Sequence, residues 1–452
     1  MKRYLLAVPI GLIVVLLAAA YMVGLTPAFI IYGPSVGAGI GAKLLCSAEY
    51  VMGHSRAQAF DDLVQYSPIL AQLSVSYEPE SQAVTASLFG LSETTATYIP
   101  GLGCAVDYSG FNQRQTITTQ ASEHSTQSWP AGSSVQSIDS RLQSLLDEIV
   151  AQDNAAGLNT RALLLVHRGD IVAESYAQQS DPTTPLLGWS MAKSLMSILL
   201  GNLEMRGLLA LDAGSGFKQW QNDARADIRI SDLLTMTDGL DFSEQYNPGD
   251  DATAMLFTSP SMAQYALERP LLNEPGSQFS YSSGTANILS QLYVQTLDSP
   301  QQAYDNFMTH IYQPMGMQNA TFEVDASGMF VGSSYFYASA RDWARMGQLM
   351  LNGGTLNDQR LVTREWVRRA TSPNSSVNNK AYGYQWWLNA GDGALRMPDL
   401  PATMFYANGN RQQYVAVVPE YDAVLVRLGW TQGRYPANDN FARILEQLPR
   451  AQ

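Results

Sequence analysis

Histidine, lysine and cysteine are scarce in this chain of 452 residues, and each scarcity closes off some chemistry. Four histidines, His54, His124, His167 and His310, stand singly. With no His-Glu-x-x-His and no closely spaced cysteine pair, neither a metal site nor any other cofactor is expected. Basic residues number 27 against 40 acidic ones, a net charge of -13, which argues against nucleic acid or an anionic membrane surface as a partner. Cys46 and Cys104 are the only cysteines. An oxidising compartment lets them bridge, and a disulfide is expected rather than two buried free thiols. No internal repeat is visible. With 46% hydrophobic and 15% charged residues, the chain can still bury a large core, one sizeable domain plus extra material.

Charge is missing altogether from residues 4 to 42. Lys2 and Arg3 precede this run, and its part from 5 to 24 is apolar and long enough to span a bilayer. The positive end is expected in the cytoplasm, which places the remainder in the periplasm or outside the cell. Ala18-Ala19-Ala20 offers a peptidase site, and with it the competing reading of a cleaved signal peptide and a secreted product. Because no polar break ends the run there, an uncleaved anchor over residues 1–32 is expected.

Residues 33–108 read as a small module: a helix near 57–66, then alternating segments at 73–77, 83–88 and 95–98. Gln, Ser and Thr dominate 109–135, which reads as a linker. A packed domain is expected over 136–452. Ile138, Leu142, Leu145, Leu146 and Ile149 follow helical spacing after Ser137, an N-cap candidate. Strands are expected at 162–167 and 171–176 around Arg168-Gly169-Asp170, and again at 413–418 and 423–429. Helices are expected at 231–239, 286–297, 339–351 and 440–448. Strands at both ends and helices between them imply an antiparallel sheet whose halves come from distant sequence.

The chemistry centres on Ser190. Gly188-Trp189-Ser190-Met191-Ala192-Lys193 turns a loop into an apolar helix with the serine in its first turn. The unpaired N–H groups and dipole of a helix start favour an oxyanion there. Lys193, three residues on, shares a face with Ser190 and is placed to help remove its proton. A second Ser-x-x-Lys, Ser215 to Lys218, lies in a Gly-rich turn with no apolar helix behind it and carries no such register. In Glu274-Pro275-Gly276-Ser277-Gln278-Phe279-Ser280-Tyr281-Ser282-Ser283-Gly284 a Pro-Gly turn presents Tyr281 just before a helix. An ammonium beside that phenol eases its ionisation, which suits a proton shuttle between Ser190 and a leaving group. Asn408-Gly409-Asn410 enters the last hairpin, where a glycine lets substrate approach a strand edge that donates a second oxyanion N–H, from Asn410. The polar, aromatic loop around Tyr246, Asn247, Pro248 and Gly249 is suited to wall a cleft.

Taken together and in this order, these stretches resemble the serine β-lactamase and penicillin-recognising superfamily. The class C-like branch is the nearer likeness, with its DD-peptidases, family VIII esterases and 6-aminohexanoate-dimer hydrolases. Supporting phrases are Leu234-Thr235-Met236-Thr237-Asp238-Gly239-Leu240, Pro314-Met315-Gly316-Met317, Ala340-Arg341-Asp342-Trp343-Ala344 and Tyr382-Gly383-Tyr384-Gln385-Trp386-Trp387. The resemblance implies an α/β (α+β) fold of the β-lactamase/transpeptidase type, an antiparallel sheet flanked by helices with a helical subdomain. It implies a hydrolase with Ser190 acylated, Lys193 its partner and Tyr281 the motif tyrosine. Ser283 stands where the family often has asparagine, a shorter acceptor for the Lys193 ammonium. Ala407-Asn408-Gly409 replaces the Lys-Thr-Gly or His-x-Gly whose cation grips a substrate carboxylate. Unless Arg411 compensates, that departure favours a small ester or amide over a β-lactam or D-Ala-D-Ala substrate, with Tyr246 as the loop tyrosine that closes over it.

Two rivals stand beside this reading. An α/β-hydrolase elbow at Ser190 needs an acid and then a histidine downstream, and only His310 follows. A non-catalytic envelope protein that keeps the shape as a binding surface is the other, motivated by the altered third motif. The oligomeric state has no signature in the sequence.

Overall fold

The computed structural model describes residues 26–121, 124–177 and 179–451. The expected membrane span at residues 5–24 and its alanine triplet lie outside them.

Thr26 caps the first helix by accepting from the Phe29 N–H, and proline fills its first turn, so α1 (Pro27–Tyr50) begins where sequence chemistry places a helix start. Among the described residues it is the one helix long and apolar enough to cross a membrane, yet most of it is buried in protein. α1 continues unbroken across position 33, where anchor was expected to give way to module. After α2 (Arg56–Val64) comes an antiparallel meander, β1 (Leu73–Glu78), β2 (Ala83–Leu88), β3 (Ser92–Ile99) and β4 (Gly103–Val106). A Cβ on Gly41 would press into Leu73 and one on Gly37 into Leu88, both in the meander. On another side of the helix, a Cβ on Gly39 would sit 2.2 Å from the Phe257 carbonyl oxygen. A helix covered on several sides needs apolar and small residues all round, the same composition that lipid demands.

Two further ties fix α1. Lys43 is buried, hydrogen-bonded to Ser47 at 2.9 Å and ion-paired with the buried Glu323. Glu323 also accepts from the Ser47 hydroxyl and the Cys104 N–H, each at 2.8 Å. The expected disulfide is present: Cys46 of α1 bonds Cys104 of β4, with Cα atoms 6.0 Å apart.

Residues 109–135, expected as a linker, are pinned to their surroundings in the described parts. The buried Arg114 donates to the Thr97 carbonyl at 2.9 Å and pairs with Asp107. The Thr118 N–H donates to Gln301 at 2.7 Å, and the Arg345 guanidinium holds the carbonyls of Pro130 and Gly132.

α3 (Ser140–Ala155) opens the main domain. Its cap is Asp139, whose carboxylate accepts from the N–H groups of Arg141 and Leu142, in place of the expected Ser137. Ile138 therefore falls outside the helix and is 42% exposed. β5 (Thr160–His167) and β6 (Asp170–Tyr176) form the expected hairpin, with Arg168 and Gly169 at φ +53° and +85°. There follow β7 (Leu186–Leu187), α4 (Met191–Met205), α5 (Ile230–Leu234), α6 (Asp251–Thr258), α7 (Met262–Leu267), α8 (Ser283–Thr296) and α9 (Pro300–Phe307). α5 is shorter than expected because Met236 and Gly239, at φ +56° and +80°, turn the chain out of the helix. β8 (Ala320–Phe322), β9 (Phe336–Ala338), α10 (Ala340–Leu351) and α11 (Arg364–Ala370) lead to β10 (Trp387–Leu388), β11 (Phe405–Gly409), β12 (Gln413–Val418) and β13 (Ala423–Gly429), and α12 (Ala437–Leu445) follows.

The principal sheet has six antiparallel strands in the order β10-β11-β12-β13-β5-β6. β13 lies against β5 with Leu425 opposite Leu165, so the halves do come from distant sequence. Alternation sends Leu163, Leu165, Ala416 and Leu425 toward Leu146 and Ile149 of α3 and Phe441 and Ile444 of α12. The opposite face, with Leu164, Val166, Val415 and Val424, packs on Leu195 and Leu199 of α4 and Met346 of α10. A β-lactamase-like sandwich of helices and antiparallel sheet, expected from the sequence, is the fold observed.

Candidate active site

Ser190 immediately precedes α4, on a partly accessible rim, after a residue under backbone constraint: Trp189 has φ +48°, a left-handed conformation rare for a bulky side chain. Trp189 is buried and packs edge-on against Tyr66, with ring centroids 6.0 Å apart. A serine in the N-cap position normally turns its hydroxyl onto the first N–H groups of its helix. Ser190 makes no such cap bond. Its Oγ instead accepts from Lys193 Nζ at 3.0 Å.

Lys193 is 1% exposed. Its Nζ also donates to Ser283 Oγ at 3.1 Å and to the Ser333 carbonyl at 2.9 Å, so all three ammonium hydrogens are used. Burial pulls its pKa down to about 8, opposed by the negative charge of Glu244. Ser283, read as the short acceptor for this ammonium, fills that place without a bridging group. Its hydroxyl passes the contact on, donating to Glu244 Oε1 at 2.6 Å, while its N–H donates to Oε2 at 2.6 Å.

Glu244 escaped the sequence reading. It lies two residues from Tyr246 on the loop expected to wall the cleft, and the Tyr246 hydroxyl donates to it at 2.9 Å. Tyr246 is 49% exposed, so its ring borders open space while its hydroxyl is held inward. A carboxylate among polar neighbours on a long loop is ordinary in sequence; only the fold brings it to Ser283.

The Tyr281 phenol lies near Ser190, and its ring stacks on Trp387 at 5.2 Å between centroids. The expected acidification is not found. Burial foremost, then the Glu244 charge, push the phenol well above its ordinary range, and the nearby Ser190 hydroxyl only partly offsets them. The reason is geometric: Lys193 Nζ sits over the ring face, 4.9 Å from its centroid. Tyr281 is therefore protonated at neutral pH.

The supporting phrases hold these groups in place. Ser280 N–H donates to the Met236 carbonyl at 2.9 Å, and Thr285 Oγ1 donates to the buried Asp238 at 2.7 Å. Gln385 donates to the carbonyls of Leu233 and Leu234, and its own carbonyl accepts from Ser194 Oγ at 2.6 Å. Trp343 fills the space a side chain at Gly188 would need, a Cβ there landing 2.0 Å from its ring.

At the third stretch, the glycine serves a contact other than the one expected. A Cβ on Gly409 would lie 2.0 Å from the Gly188 carbonyl oxygen, so Gly409 admits the nucleophile loop against β11. Asn408 is part-buried and donates to the Gln413 carbonyl at 3.0 Å, within its own hairpin. Asn410 is exposed and borders a cavity with Trp189 and Tyr246. Arg411 is buried, its guanidinium 4.1 Å over the Tyr66 ring, and it does not line that cavity.

Against this geometry the comparisons are specific. The Beta-lactamase family model matches residues 142–448. The chain belongs to that family. Over 262 residues it is 21% identical to the 6-aminohexanoate-dimer hydrolase of Paenarthrobacter ureafaciens, 52% of this chain and 65% of that relative's length. The fold of this family member matches the D-amino acid amidase from Ochrobactrum anthropi SV3 at a TM-score of 0.53 and 16% identity, covering 68% of this chain and 98% of that one. It also matches a family VIII carboxylesterase at 0.51 and 14%, covering 70% and 99%. The α/β-hydrolase rival fails on two counts: the main sheet is antiparallel, and His310 lies beside Arg206 at the far end of α4. A helix of that length puts it on the order of 20 Å from Ser190.

Proposed function

We propose that this protein hydrolyses small ester or amide substrates through an acyl-enzyme on Ser190. The observation that carries the reading is the 3.0 Å contact between Ser190 Oγ and a buried Lys193 whose pKa is drawn down to about 8. Such an amine is neutral often enough near pH 8 to take the serine proton as Oγ bonds the substrate carbonyl. The N–H groups of Ser190 and Asn410 receive the oxyanion. Tyr281 then gives its proton to the departing alcohol or amine and regains one from Lys193. Water adds to the acyl carbon by the reverse relay, releasing the acid and restoring Ser190.

The missing cation in the third motif favours uncharged substrates over β-lactams or peptidoglycan stems. Asn408 is spent on its own hairpin and Arg411 is folded onto Tyr66, so neither offers a grip for a carboxylate. For location we favour the membrane-anchored reading, with residues 5–24 as the span and the hydrolase domain outside the cytoplasm. The exposed Ile30, Ile31 and Tyr32 at the start of α1 fit a neighbouring membrane surface, and the disulfide fits an oxidising compartment.

The test is p-nitrophenyl acetate turnover with fluorophosphonate labelling. Wild type is expected to do both. Ser190→Ala abolishes labelling and lowers turnover by roughly 10⁴-fold or more, and Lys193→Ala and Tyr281→Phe lower it by roughly 10²–10⁴-fold, with melting temperatures little changed. A folded wild type that neither labels nor turns over would instead favour the non-catalytic binding protein.

A further inference from the structure

A cavity of about 390 Å³ is lined by Trp189, the residue before Ser190, and its outer wall comes from residues before the family match begins. Trp189, Asn410 and Tyr246 are the lining residues that belong to the Ser190 site or its bordering loops. Its body is largely apolar, with Phe29, Val36 and Ile40 of α1, Ile69 and Leu70 after α2, and Phe257 of α6, and among the described residues no charged side chain lines it. Gly33 and Gly37 of α1 also face it, so missing side chains contribute to its width. The loop from Tyr246 to Gly249 closes against the helix at Tyr32, where a Cβ on Gly249 would lie 2.7 Å from that ring.

Its position selects one half of a substrate. In the reaction proposed above, the leaving group faces Tyr281 and its stacking partner Trp387, and neither lines the cavity. Asn410, assigned to the oxyanion, does. We propose that this cavity is the acyl pocket of the Ser190 site, that it takes an unbranched, uncharged acyl chain of medium length, and that the N-terminal segment sets that length. The assignment rests on the hydrolase reading. The volume is at the small end of ligand pockets, roughly 300–1,000 Å³, and each further methylene buried there improves binding roughly fourfold until the pocket is full.

The experiment compares kcat/KM of the full chain on p-nitrophenyl acetate, octanoate and palmitate. Wild type is expected to favour octanoate over acetate by at least tenfold and to fall again at palmitate. A Cβ at Gly33 meets only the Phe29 ring, at 3.3 Å, so Gly33→Leu fills the cavity and is expected to cut the octanoate-to-acetate ratio at least tenfold. Ile69→Ala works in the opposite direction, moving the optimum toward longer chains. Acetate turnover with no chain-length preference, or a ratio that neither variant alters, overturns the pocket while leaving the hydrolase standing. Loss of all ester turnover together with absent fluorophosphonate labelling overturns both.

Discussion

Burial and the Glu244 carboxylate pull the Lys193 ammonium in opposite directions. Burial makes the amine a base near neutrality, and the carboxylate, reaching it through Ser283, keeps it from becoming neutral too early. In the proposed reaction the neutral amine is the reactive form, so kcat/KM is expected to rise with pH and level off above about 8. Glu244→Gln removes the charge that raises the Lys193 pKa, so the rising limb moves to lower pH. A purely structural role for Glu244 would lower the rate without moving the limb. Ser190, Lys193, Tyr281 and Ser283 were legible because each sits in a short motif at a helix start. Glu244 was not, since its partner is on α8 and no spacing encodes that contact. The Tyr281 phenol was misjudged for a related reason: proximity to an ammonium was right, but its placement over the ring face leaves burial in command.

Among the elements, β11 and the nucleophile loop depend on two glycines meeting. Gly409→Ala forces its Cβ against the Gly188 carbonyl, and the loop has to give way. A displacement of about 1 Å at Ser190 costs on the order of 10²-fold in turnover, which steady-state kinetics on a soluble ester will measure. Strands β5, β6, β12 and β13 were readable because alternation and turn residues agree with the final sheet. α1 runs across the boundary expected at residue 33, where an uncharged, glycine-rich run gives the same signal whether lipid or protein surrounds it. Only its far partners, Phe257 and the meander, show which one does.

Over the whole molecule, the buried Lys43–Glu323 pair joins the N-terminal segment to the family core, while Cys46–Cys104 ties α1 to β4 within that segment. Lys43→Met leaves the buried Glu323 carboxyl without its counter-ion, an expected loss of about 3–5 kcal/mol in denaturant unfolding of the full chain. Adding Glu323→Leu to that variant should recover much of the loss. A single-variant loss below about 1 kcal/mol would show that the Lys43–Glu323 pair adds little to the joint, leaving it to packing and the buried Asp62–Arg161 pair.

The pairing of β5 with β13 has a consequence for how the protein is made. β5 is translated early, and the strand it zips against emerges only after nearly all of the helices between them. Until that seam closes, the apolar faces of α4 and α10 have no sheet to rest on, and such long-range closure is slow. The nascent polypeptide thus spends its most aggregation-prone interval with its interior on display, and its yield depends on whatever chaperone shields it before the last hairpin arrives.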